Sequence, residues 1–264
     1  MNIQLAGELL LEAERSKQTI VPFTSITENI SDSVAYGIQL YQIRKKVEAG
    51  ATVKGLKIGL TSKAMQEMLK VYKPDYGFIL DEMVYKEQQG ISVESFIQPK
   101  VEFEIAFVID KQLKGPNVTV QDVINSTAYV VPAVEIIDSR IENWKIQYAD
   151  TVADNGSSAG AILGEKSTQL TEIEDISNIE MTLYKNSELL DRATSAAVLG
   201  NPLNAVVWLA NEVSNYGVTI EPGMFVLSGA LSKAVEFKAG DAFEADFGVL
   251  GKVSVTFSEE VVKK

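Results

Sequence analysis

Val101-Glu102-Phe103-Glu104-Ile105-Ala106-Phe107 is the stretch on which the reading of this chain turns. Side chains alternate between the two faces of a strand, so Phe103, Ile105 and Phe107 share one face while Glu102 and Glu104 share the other. One face suits an apolar core. The other sets two like charges side by side, which is unfavourable in a partly buried place unless a proton or a cation compensates. The next strand-like run, Ala133-Val134-Glu135-Ile136-Ile137, carries one carboxylate among aliphatic residues, where an unpaired charge is again costly.

Glu102, Glu104 and Glu135 are therefore candidate ligands of one ion. An all-carboxylate set suits hard, oxygen-seeking Mg²⁺ or Mn²⁺ rather than zinc or copper. The pattern also allows a plainer arrangement, with Glu102 and Glu104 on a solvent-facing edge and Glu135 paired with Arg140 or a lysine. Lys57, between Leu56 and Ile58, either snorkels its ammonium to the surface, the more frequent outcome, or is buried against an anionic partner. In the second case it can bind an anion or exchange a proton. Pro74-Asp75-Tyr76-Gly77 reads as a turn by composition, as does Leu80-Asp81-Glu82-Met83. Asp150 to Ser158 reads as a polar loop, or as groups that orient ligands from behind.

The central strand is expected over Val101–Ile109, and outward from it strands are expected over Val53–Leu60, Tyr129–Ile137, Ala161–Leu163, Phe225–Leu227, Phe243–Phe247 and Val253–Phe257, with a hairpin about Asn186-Ser187. Helices are expected over Ile3–Arg15, from Ser31 or Ser33 to Gly50, from Thr61 or Ser62 through Met65 and Met68, after Thr119, and over Pro202–Ser214. The sum is an α+β fold, helix-rich over 1–75 and mostly β over 76–264, with the lysine-flanked end 261–264 frayed.

Composition narrows the chemistry. The 264 residues are 46% hydrophobic, enough for a large core, and hold no Cys and no His. That excludes a disulfide, a thiolate nucleophile, a His-ligated zinc and a Ser-His-Asp triad, leaving carboxylates, hydroxyls and lysine. The formal net charge of -12 disfavours nucleic acid as a partner. No run approaches the roughly 18 apolar residues of a membrane span and the N-terminus lacks a basic leader, so a cytoplasmic protein without membrane contact is expected.

Taken together, Lys57-Ile58-Gly59-Leu60-Thr61-Ser62-Lys63, Pro74-Asp75-Tyr76-Gly77, Glu102-Phe103-Glu104-Ile105-Ala106-Phe107, Glu135-Ile136-Ile137-Asp138-Ser139-Arg140 and Asp150-Thr151-Val152-Ala153-Asp154-Asn155 resemble the 2-keto-4-pentenoate hydratase family. The C-terminal part, from Pro222-Gly223 to Val255, is similar to the wider fumarylacetoacetate hydrolase superfamily. The resemblance implies one catalytic domain over 1–264, a mixed β-roll core behind an N-terminal helical region, and a homo-oligomer, pentameric or decameric. It implies Mg²⁺ or Mn²⁺ on Glu102, Glu104 and Glu135, with Lys57, Asp75 and Asp81 in acid–base or substrate-orienting roles. Leu60, Arg140 and Ser158 fall where it implies substrate contacts.

The activity implied is hydration of 2-hydroxypenta-2,4-dienoate, a small anionic substrate, to 4-hydroxy-2-oxopentanoate in the meta-cleavage degradation of aromatic compounds. Two alternatives are decarboxylation of 4-oxalocrotonate, as in close relatives, and a catalytically silent partner subunit in a complex with a pathway enzyme. Hydrolases of the wider superfamily use a His-containing dyad, so a chain without His resembles the hydratases instead. Gly156 departs from the pattern, since relatives commonly carry Ala there.

Overall fold

The chain enters the fold through a helix because the Asn2 side chain accepts the Leu5 N–H and so caps α1 (Ile3–Ser16). The structure, a computed structural model, describes residues 1–62, 66–67 and 70–259. A short α2 (Phe23–Ile26) leads to α3 (Asp32–Glu48), capped by Ser31 and packed against α1; Gly50, with φ +110°, turns the chain away just beyond it. These starts and stops are the expected ones. The helix expected from Thr61 to Met68 and the frayed end at 261–264 fall largely or wholly outside the described residues.

The strands follow in the order β1 (Val53–Gly59), β2 (Asp75–Leu80), β3 (Val84–Tyr85), β4 (Ile91–Ser92) and β5 (Lys100–Ile109). After α4 (Val120–Ser126) comes β6 (Thr127–Ile137), and after α5 (Tyr148–Ala153) come β7 (Ser158–Leu163), β8 (Glu180–Lys185) and β9 (Glu188–Thr194). The chain ends with α6 (Pro202–Ser214), β10 (Phe225–Leu227), β11 (Val235–Glu236), β12 (Ala242–Asp246) and β13 (Lys252–Ser258). Asn186 and Ser187, with φ of 52° and 68°, make the tight β8–β9 turn that a hairpin between twisted strands requires.

Among the described residues, two mixed sheets result. The larger runs β2-β1-β10-β5-β6-β7-β3, with β11 added to one end of β5, and curls until β2 touches β7. The smaller runs β4-β13-β12-β8-β9. Within the larger sheet β1 pairs with β10 and β3 with β7 in parallel, and the other neighbours are antiparallel. Phe103, Ile105 and Phe107 join the main core with residues of α1, α3, α6 and the smaller sheet, while the opposite face builds a second apolar cluster that includes Ala106, Val131, Ala133, Phe225 and Leu227. The alternation expected from the sequence is thus realised, with the glutamates on the side of the second cluster.

Two local expectations are overturned. Asp75 to Gly77 is no turn; it opens β2, in which every residue is buried, because Tyr76 to Leu80 continues as an apolar run that pairs along β1. Asp150 opens no loop either. It lies inside α5, where its carboxylate accepts the Gln147 N–H and closes the helix start. A short 3-10 turn, Asn155–Ser157, then joins α5 to β7.

Candidate active site

Glu102 and Glu135 are direct cross-strand partners on β5 and β6, and Glu104 lies two residues further along the same face. One carboxylate oxygen from each of the three lies within 4.8 Å of the others. Glu104 and Glu135 are fully buried and Glu102 is half-buried. Burial takes Glu104 away from any solvent-facing edge, whereas the pairing of Glu135 with a lysine that the plainer arrangement allowed is present, with Lys57 as the partner.

The hydrogen-bond accounting leaves a gap in the middle. The Gly229 N–H donates to Glu104 Oε2 at 2.6 Å, but among the described residues Glu104 Oε1 and both oxygens of Glu135 accept no hydrogen bond, Glu135 Oε1 having only the Lys57 ammonium 3.4 Å away. Buried carboxylate oxygens do not stay unsatisfied without a cation or proton nearby. Burial pushes all three glutamates up from their ordinary range against the pull of Lys57; Asp75 adds to the rise at Glu102, Glu102 adds to it at Glu104, which reaches about 8, and Glu104 and Glu102 add to it at Glu135. Orphaned, hard, convergent oxygen donors are what a divalent cation of the Mg²⁺ or Mn²⁺ kind fits.

Lys57 is buried rather than snorkelling. Its Nζ donates to the Gly156 carbonyl at 2.9 Å and lies 3.4 Å from Glu135 Oε1. Burial alone would lower its pKa, but Glu135, Asp75, Glu102 and Glu104 outweigh that and hold it above the ordinary lysine range. Asp75, opposite Gly59 across the β1–β2 ladder, is also buried, and burial raises its pKa against the pull of Lys57 and Thr151. A Cβ on Gly59 would lie 2.2 Å from Asp75 Oδ1 and 3.1 Å from Lys57 Nζ, so only glycine lets the two groups approach here. Gly229 is constrained likewise: its φ is +120°, and a Cβ there would meet Thr61 Oγ1 at 2.4 Å.

The remaining candidates sit elsewhere or act differently. Asp81 is exposed and accepts the backbone N–H groups of Thr52 and Glu82, ordering the turn after β2. Leu60 follows β1 directly, with a left-handed backbone at φ 56° and its carbonyl accepting from Gln66. Arg140 spends its guanidinium on the Asp154 carboxylate, the Asp154 carbonyl and the Asp138 carbonyl, and so does not reach for Glu135. With Glu14, Lys17, Lys46, Phe96 and Ser158 it lines a cavity of about 270 Å³ to which none of the three glutamates nor Lys57 contributes. The Ser158 hydroxyl is buried and makes no hydrogen bond among the described residues.

Thr151 and Gly156, inside the stretch expected either to loop or to orient ligands, serve the centre from behind, as does Gly229, for which the sequence offered no role. Thr151 donates its hydroxyl to Asp75 Oδ2 at 3.2 Å. Gly229 and the Gly156 carbonyl come from turns distant in sequence from β5 and β6. The Gln147-x-x-Asp150 spacing of a helix start was the one available signal that residues 148–153 are helical.

Comparison with known proteins agrees with this architecture. Residues 53–258 match the fumarylacetoacetate (FAA) hydrolase C-terminal family. The chain is 39% identical to the 2-hydroxyhexa-2,4-dienoate hydratase of Comamonas testosteroni, covering 97% of this chain and 98% of that one. It is 42% identical to the 2-keto-4-pentenoate hydratase of Burkholderia vietnamiensis, covering 95% of each chain. Among solved structures, 4-oxalocrotonate decarboxylase from Pseudomonas putida G7, complexed with magnesium and adipate, superposes with a TM-score of 0.93 at 35% identity, covering 97% of both chains. The chain belongs to the fumarylacetoacetate hydrolase C-terminal family, in the branch that holds the 2-keto-4-pentenoate hydratases and 4-oxalocrotonate decarboxylase.

Proposed function

We propose that this protein is a lyase that adds water to 2-hydroxypenta-2,4-dienoate, giving 4-hydroxy-2-oxopentanoate, and that it works with Mg²⁺ or Mn²⁺. The observation that carries the reading is the convergence of three carboxylates beside the buried Lys57, with oxygens left unsatisfied until a dication arrives. Relatives at 39% and 42% identity bear hydratase names, which favours hydration over decarboxylation.

Glu102, Glu104 and Glu135 would hold the ion, which when bound supplies Lewis-acid polarisation of the substrate's 2-oxygen. The chain's own groups do the rest. Lys57, kept protonated by the carboxylates around it, presents a fixed positive charge to the substrate carboxylate in a site otherwise lined with acid. The dienol first ketonises, losing its O–H proton and gaining one at C5; water then adds its oxygen to C4 and a proton to C3. Asp75, beside Lys57, is placed to take and return these protons. Ala106, Val131, Ala133 and Leu227, on the glutamates' side of the sheet, supply apolar surroundings that strengthen each electrostatic contact. Asp81 has no part in this scheme.

The test is turnover by the purified protein with Mg²⁺ or Mn²⁺. Loss of the dienoate chromophore without CO₂ release supports the reading; CO₂ release from 4-oxalocrotonate, with the dienoate untouched, replaces it with decarboxylation. Lys57→Met is expected to lower kcat by about a hundred-fold or more while Mn²⁺ affinity changes less. Assembly as a pentamer or decamer in the cytoplasm goes with this reading, and light scattering on the purified protein tests the oligomer.

A further inference from the structure

The geometry points to Thr151 as a positioning residue that aims Asp75 at the reacting centre, a role that rests on the hydratase reading above. The two oxygens of the Asp75 carboxylate have different surroundings. Oδ2 is tied back by the Thr151 hydroxyl at 3.2 Å, whereas Oδ1, without a well-formed hydrogen bond among the described residues, lies beside Gly59, whose backbone N–H favours the ionised carboxylate, and on the side of Lys57. One oxygen is anchored by a side chain and the other faces the lysine.

The anchor is itself rigidly held. Thr151 is buried in the middle of α5, and α5 and α3 between them hold the backbone on the two sides of Asp75. The Tyr148 hydroxyl donates to the Pro74 carbonyl at 3.0 Å. Gln39 of α3 donates to the Tyr76 carbonyl at 2.8 Å and to the Val152 carbonyl at 3.0 Å, joining the start of β2 to the end of α5. Gln42 adds a bond to the Ala153 carbonyl at 2.8 Å, and the Asp150 carboxylate accepts both the backbone N–H and the hydroxyl of Thr24. Thr151 thus projects from a fixed frame, and its β-branched side chain has few rotamers to choose from.

A carboxylate on a single soft torsion turns freely in its pocket; a hydrogen bond to one oxygen sets its plane and so the direction of the other. Misplacing a proton-transfer group by a fraction of its hydrogen-bond length is expensive in rate while leaving substrate affinity nearly unchanged. Val is the matched probe, since it keeps the shape of Thr and removes the hydroxyl. Ser is its complement, restoring the hydroxyl without the methyl group.

The experiment compares wild type, Thr151→Val and Thr151→Ser, each loaded with Mg²⁺, in turnover of 2-hydroxypenta-2,4-dienoate and in crystal structures. In Thr151→Val, kcat should fall by about thirty-fold, with KM and Mn²⁺ affinity each within about two-fold of wild type; Thr151→Ser should recover to within about three-fold. The crystal structures should show the Asp75 carboxylate rotated away from Lys57 in the valine variant and in its original plane in the serine variant. An unmoved carboxylate in Thr151→Val overturns the assignment whatever the kinetics. So does an effect on KM alone, or an equal loss in both variants. Wild-type protein that leaves the dienoate unchanged refutes the hydratase reading instead, and the position of the Asp75 carboxylate still decides the role of Thr151.

Discussion

Glu104 has two ways of relieving its buried charge: take up a proton or share the charge with a dication. Its pKa, raised from the ordinary 4.5 to about 8 by burial and by Glu102, makes the first route dominant in metal-free protein at neutral pH. Between those two values the folded chain binds a proton that the unfolded chain does not, so stability falls as pH rises through this window. Protein treated with a chelator should therefore melt at lower temperature at pH 8.5 than at pH 6.5, and Glu104→Gln should flatten that slope. An unchanged slope in the variant would show that Glu104 is not the titrating group. The same substitution should abolish metal-dependent turnover and weaken Mn²⁺ binding at least about a hundred-fold by calorimetry, with the native circular dichroism retained. At this scale the sequence was informative about side-chain chemistry and silent about partners. Glu102, Glu104 and Glu135 stand out because acid is rare in apolar strands, whereas nothing around Lys57 indicates that the Gly156 carbonyl will hold its ammonium.

At the scale of elements, periodicity was legible where a single face repeats over many residues and obscure where it does not. The strand β5 announces itself by alternation. The six residues of β2 are buried on both faces, and their leading Pro-Asp gives a turn-like composition, so the strand is visible only through its pairing with β1. The helix α5 is short, and its identity depends on Asp150 closing its own first turn and binding Thr24 from elsewhere. The junction between β6 and α5 carries a further prediction. Asp154 accepts from the backbone and side chain of Arg140, both buried, and binds the segment after β6 to the end of α5. Asp154→Asn leaves the guanidinium buried without its counter-charge and should cost about 3–5 kcal/mol in urea unfolding. A loss under about 1 kcal/mol would mean that the pair adds nothing to its surroundings.

Across the whole molecule, charge and topology pull in different directions. The net -12 opposes the approach of an anionic substrate, and the local positive charge of Lys57 offsets this only within a Debye length of about 8 Å. Raising ionic strength from about 20 to 200 mM should therefore increase kcat/KM by about two-fold or more, measured at saturating Mg²⁺; a decrease would place a wider basic surface at the entrance. The sheet order was the least legible part of the fold. The adjacency of β1 and β10 joins distant parts of the chain, and a local pattern holds no record of which strands meet. Resemblance supplied that long-range information, together with the family, where periodicity alone stopped at a mostly β core.

The placement of Glu102 directly across from Glu135 has one more consequence, for how the molecule assembles. If β5 and β6 paired one residue out of step, one strand's acid would be turned in among Phe103, Ile105 and Phe107, or the Glu135 carboxylate among their counterparts, with no countercharge to meet it. Pairings out of step by one residue therefore carry a built-in electrostatic penalty, and only alignments in phase with the observed one keep all three acids on one face, where an ion can neutralise them. The same side chains that equip the pocket also proofread the strand pair that bears them.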